Sequence, residues 1–166
     1  METAEDVAKR LDLRARRRRE RDAFIGSRSG VEAADASISE LFDILTEKAA
    51  SCSVAIERDN LSRLALSRDG YSVVLSWDSS SNTVDGCPLK VETFGPLRVY
   101  IGLAVSNLPQ QIPPTPKSTE LYGFDLTDTG EKGWRENTPG ERFYSPRSLA
   151  DECLRRLLLM IEEADA

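Results

Sequence analysis

The order of its periodicities predicts an α+β protein: helix, then a run of strands with no helix between them, then a closing helix. Three observations carry that prediction. Apolar side chains recur at helical spacing from Ile38 to Leu45, alternate every second residue through segments between 53 and 127, and return to helical spacing after Ser145. Strands that follow one another without crossover helices pair as antiparallel neighbours. The expected fold is therefore a mainly antiparallel sheet of about 5–6 strands, packed by a helix at about 37–50 and a C-terminal helix at about 146–164.

Taken in chain order, residues 3–25 have a helix-forming composition. Thr3 and Asp6 are placed as an Asp-ended capping box, with acids in the first turn and arginines toward the end. The apolar stripe of this segment is thin, chiefly Val7, Leu11 and Ala15, so little hydrophobic burial holds it to the rest. Gly26, Ser27, Ser29 and Gly30 read as a hinge. The chain thus divides into an Arg-rich helical arm, 1–28, and a single α+β domain, 31–166. In the second helix Ile38, Leu41, Phe42 and Leu45 form one buried face, and Ser37 with Glu40 reads as the capping box at its start.

Period-two segments follow at about 53–58, 61–68, 71–77, 88–94, 97–105 and 121–127. Arg68-Asp69-Gly70 reads as a tight hairpin turn, because Asp-Gly supplies the positive φ such turns need. Leu108 to Ser118, with Pro109, Pro113, Pro114 and Pro116, reads as a stiff polyproline connector. The closing helix has Ser145 as N-cap and Pro146 at its first position. Its stripe of Leu149, Cys153, Leu157 and Ile161, widened by Leu154 and Leu158, requires cover by a sheet face. On the opposite sheet face, polar Ser72, Ser76, Lys90 and Glu92 are interspersed with Val74, Phe94 and Tyr100, and this apolar subset is a candidate partner surface.

Charge is divided unevenly along the chain. Residues 1–28 hold nine basic and six acidic side chains, a balance of +3, against −6 for the whole chain and so −9 for residues 29–166. The arginines are concentrated at Arg14, Arg16, Arg17, Arg18, Arg19 and Arg21, the candidate binding residues for a polyanion or an acidic partner. Aromatic side chains that stack on bases are missing around the run, apart from Phe24.

The chain has no histidine, which excludes a Ser-His or Cys-His catalytic pair within it. Cys52, Cys87 and Cys153 are scattered, and with no close pair they nucleate no zinc site and read as reduced thiols. Asp128-Thr129-Gly130 resembles the triplet of aspartic proteases over three residues only. It continues as Glu131-Lys132-Gly133 between two apparent strands, and reads as a hairpin turn. No catalytic residue, cofactor or metal is expected, nor a membrane span, and the setting expected is cytoplasmic.

In size, acidity and helix–strands–helix plan the chain resembles bacterial secretion chaperones, with the proline segment standing where those proteins place a helix. The function expected is a non-enzymatic protein-interaction module, adaptor-like, chaperone-like or self-associating, with a basic arm. The alternatives are a nucleic-acid or polyanion binder acting through Arg14–Arg21, and more remotely an enzyme working without histidine around Asp128, Glu131 and Arg135.

Overall fold

Two residues of positive φ, Asp69 at 53° and Gly70 at 85°, reverse the chain between its second and third strands, as Asp-Gly predicts. A computed structural model of the chain describes residues 1–59, 63–77, 89–95, 116–137 and 142–165. Among these residues are seven strands: β1 (Ala55–Asp59), β2 (Arg63–Arg68), β3 (Tyr71–Ser76), β4 (Leu89–Phe94), β5 (Ser118–Leu126), β6 (Lys132–Glu136) and β7 (Phe143–Tyr144). Each pairs antiparallel with its neighbours in sequence, so the sheet order is β1-β2-β3-β4-β5-β6-β7. The strand expected at 97–105 and most of the proline connector lie outside the described residues.

The register decides which side chains meet. Leu66 stands opposite Val73, Leu75 opposite Val91, Leu89 opposite Tyr122 and Phe124 opposite Trp134. One face therefore gathers Leu64, Leu66, Val73, Leu75, Leu89, Val91, Tyr122 and Trp134, all buried. Two helices, α2 (Arg28–Ser51) and α3 (Pro146–Ala164), cover that face side by side. α2 contributes Ile38, Leu41, Phe42 and Leu45 to the core, and α3 contributes Leu149, Leu154, Leu157 and Ile161. Each such burial contributes about 1.5–3 kcal/mol, so both helices are firmly held. Trp134 packs edge-on against Trp77 and Phe124, with ring centroids 5.2 and 5.6 Å away.

The caps explain where the helices begin. Ser145 accepts the Ser148 N–H at 3.1 Å and Pro146 opens α3, both as the sequence predicts. α2 starts at Arg28, well before Ser37, because Ser27 accepts the Gly30 N–H at 3.1 Å and the alanine-rich turns that follow propagate the helix. Ser37 is consequently no cap; it is a buried residue in the helix interior, and Glu40 is exposed.

A further helix, α1 (Ala4–Ile25), precedes α2 and carries the predicted capping box. Asp6 N–H donates to Thr3 Oγ1 at 3.2 Å and Thr3 N–H to Asp6 Oδ2 at 3.1 Å. The Thr3 backbone N–H foremost, and then the Thr3 side chain, hold the Asp6 carboxyl below its ordinary range. Gly26 and Ser27 break the chain between α1 and α2, and Ser27 Oγ donates to Phe24 O at 2.5 Å. At this corner Gly30 is indispensable for packing: a Cβ there would fall 2.0 Å from Phe24 O. No described helix is long and apolar enough to cross a membrane.

Candidate functional site

α1 buries no side chain, and residues 1–20 are all exposed. At 3.6 residues per turn, Arg10, Arg14, Arg17, Arg18 and Arg21 fall within about 100° of arc, and no acid of α1 shares that arc. Arg16 and Arg19 point elsewhere, to the side that carries Glu5, Asp12 and Glu20. The fold thus brings together Arg14, Arg17, Arg18 and Arg21 of the six arginines singled out by sequence, adds Arg10, and sets Arg16 and Arg19 apart. Val7 and Leu11, 38% and 58% exposed, flank the arginine face toward the helix start.

Two members of the face are engaged within the chain. Arg10 pairs with Glu2. Arg21 Nε lies 3.2 Å from Asp125 Oδ1 on β5, while Arg135 Nε of β6 donates to Asp125 Oδ2 at 2.6 Å and Leu126 N–H to Oδ1 at 2.7 Å. Asp125 is 9% exposed, so this carboxylate is a buried anchor that ties the C-terminal end of α1 to the sheet. Arg14, Arg16, Arg17, Arg18 and Arg19 form no ion pair among the described residues. Like charges at i,i+3 and i,i+4, such as Arg14 with Arg17 and Arg18, destabilise a lone helix by about 0.2–0.5 kcal/mol per pair. An anionic surface laid on this face relieves that repulsion.

Of the other candidates, Val74 and Phe94 share the outer sheet face and are each 1% exposed; Tyr100 lies outside the described residues. Asp128-Thr129-Gly130 forms the β5–β6 turn, where Gly130 has φ 85° and donates its N–H to Thr127 O at 2.9 Å. Asp128 and Glu131 are exposed in that turn, while Arg135 turns to Asp125 and to the Phe143 ring, so the three are not gathered around one pocket. An open groove of about 500 Å³ is lined by Glu57, Arg58, Asp59, Arg63 and Ala65, whose mixed charges and single apolar side chain make a wet rim. Cys153 is buried on α3, and burial pushes its thiol up to about 12, which keeps it unreactive. Cys87 lies outside the described residues.

One polar cluster escaped sequence reasoning altogether. Beneath α3, Tyr122 Oη donates to Glu120 Oε2 at 2.5 Å and Arg156 Nη1 pairs with Glu120 Oε1 at 2.5 Å. Burial, reinforced by the Glu120 bond, pushes the Tyr122 hydroxyl well above its ordinary range. Burial opposes the Arg156 charge, but the bonds to Glu120 and Glu152 outweigh it. Burial likewise opposes the Glu152 charge, yet Arg155 and Arg156 hold that carboxyl below its ordinary value. This network fastens α3 to β5 at groups that satisfy one another. The only sequence signal was the placement of Glu120 two residues before Tyr122 on one strand face.

No family model, curated protein or solved structure matches the chain.

Proposed function

We propose that this chain is a non-enzymatic protein-interaction module whose sheet, α2 and α3 hold α1 out as a docking helix for an acidic protein surface. The observation that carries this reading is the contrast between helices. α3 buries a broad apolar stripe, whereas α1, capped and 22 residues long, buries nothing and carries five arginines on one arc. An isolated helix gains stability chiefly by packing, so α1 is an element completed by a partner. Val7 and Leu11 beside the arginines supply the apolar contact that a protein partner rewards and a phosphate backbone does not. A reducing, cytoplasmic setting suits Cys52 and Cys153, which are free thiols.

The test is binding of poly-L-glutamate and of a random-sequence DNA duplex to the full-length protein, with R14Q/R17Q/R18Q as the variant. The expected result is glutamate-polymer binding that the variant loses by about tenfold or more. Binding of neither polymer by the monomeric protein, or binding that the variant leaves unchanged, overturns the reading. Preference for DNA, with log affinity falling by about 0.9 per neutralised phosphate for each decade of salt, assigns the arm to nucleic acid instead.

A further inference from the structure

The solvent face of α2 is the mirror of the arginine face. Ile38, Leu41, Phe42 and Leu45 point into the core, and on the opposite side Glu32, Glu40, Asp43 and Glu47 are all exposed. At 3.6 residues per turn these four acids fall within about 80° of arc, and no basic residue of α2 shares it. Arg28 pairs with Glu32 and Arg58 with Asp43, whereas Glu40 and Glu47 form no ion pair among the described residues. The exposed side of α3 offers no rival, since Arg147 and Arg155 alternate there with Asp151 and Glu162. Arg10 to Arg21 spans about 16 Å along its axis and Glu32 to Glu47 about 22 Å, so one face fits along the other.

Within one molecule the two faces do not meet. The corner at Gly26–Ser27 is closed by Phe24 O against Gly30, and Arg21 is drawn to Asp125 on the sheet. Arg14, Arg17 and Arg18 consequently reach no acid of their own α2. We infer that the occupant of the arginine face is the acidic face of α2 in a second copy of this chain, with the contact made reciprocally about a twofold axis. This rests on the reading of α1 as a docking helix and names its partner. Reciprocal exchange satisfies both α1 helices at once and closes the assembly at two molecules. It also places the basic arm on the part of the chain that carries the excess of acid.

The experiment is a charge exchange read as molar mass by light scattering and sedimentation, on full-length protein at about 50 and about 500 mM salt. Wild type is expected to be a dimer that salt weakens. R14E/R18E sets acid against acid and E40K/E47K sets base against base, so each variant alone is expected to be monomeric, its dissociation constant raised by about a hundredfold or more. An equal mixture of the two restores both contacts, because each altered face then meets its altered mate, and the mixture is expected to recover the dimer. That recovery also shows that both variants are folded. A monomeric wild type at low salt, a dimer indifferent to both substitutions, or a mixture that stays monomeric each overturns the inference. A monomer that still binds poly-L-glutamate through its arginines overturns this partner while leaving the docking-helix reading standing; a monomer that binds neither glutamate polymer nor DNA removes both.

Discussion

Ser37 shows how one residue type carries two opposite meanings. Followed by Glu40 and an apolar run, it has the pattern of a helix start. In the fold it is 4% exposed in the middle of α2, and its Oγ has no hydrogen-bond partner among the described residues. A hydroxyl buried in that way costs about 1–3 kcal/mol relative to a satisfied one. Ser37→Ala removes it with almost no change in volume and adds helix propensity. We expect the substitution to stabilise the protein by about 0.5–1.5 kcal/mol, seen as a higher denaturation midpoint at unchanged slope. A loss of stability instead means that the hydroxyl is bonded in solution. The pattern was unreadable because the competing cap, Ser27, lies ten residues earlier and is identified only by the Gly30 N–H that it accepts.

Among the elements, strands and helices with a clear apolar repeat were legible, and the last two strands, without one, were not bounded. Tyr71 to Ser76 and the α3 stripe declare their period, and both elements lie where the sequence places them. β6 and β7 are five and two residues long, so alternation has too few repeats to bound them; the sequence shows β6 only as an apparent strand after the Asp128-Thr129-Gly130 turn, and pairing, β6 to β5 and β7 to β6, sets their extent. The corner between α1 and α2 was visible as glycine and serine, but its geometry was not. Gly30 within a helix ordinarily costs about 0.5–1 kcal/mol relative to alanine, so Gly30→Ala is expected on propensity alone to stabilise. The 2.0 Å approach of a Cβ to Phe24 O reverses that expectation. We predict no gain in stability and an exchange of the Gly30 and Val31 amide hydrogens at least about tenfold faster, since Ser27 accepts both. A plain gain with unchanged exchange means that α1 pivots without cost and that the corner does not set its direction.

For the whole molecule, the separation of a basic arm from an acidic remainder was written in the sequence, and the way the two are joined was not. Arg21 and Asp125 are remote in the chain, and nothing in either neighbourhood selects the other until the corner and the β5–β6 pairing bring them together. The three-residue anchor has an internal hierarchy that mutation can expose. Asp125 accepts from Arg135 and from the Leu126 amide and pairs with Arg21, so Asp125→Ala leaves guanidinium groups facing one another and an amide without its acceptor. We expect that to cost about 2–3 kcal/mol. Arg21→Ala leaves Asp125 with Arg135 and removes a partly exposed ion pair, at an expected cost of about 0.5–1 kcal/mol. Both substitutions release the arm, but only the first also damages the sheet. Equilibrium denaturation separates the two effects: equal losses place Arg21 in the foundation of the fold, whereas the predicted inequality makes it a tether that sets where the arm points.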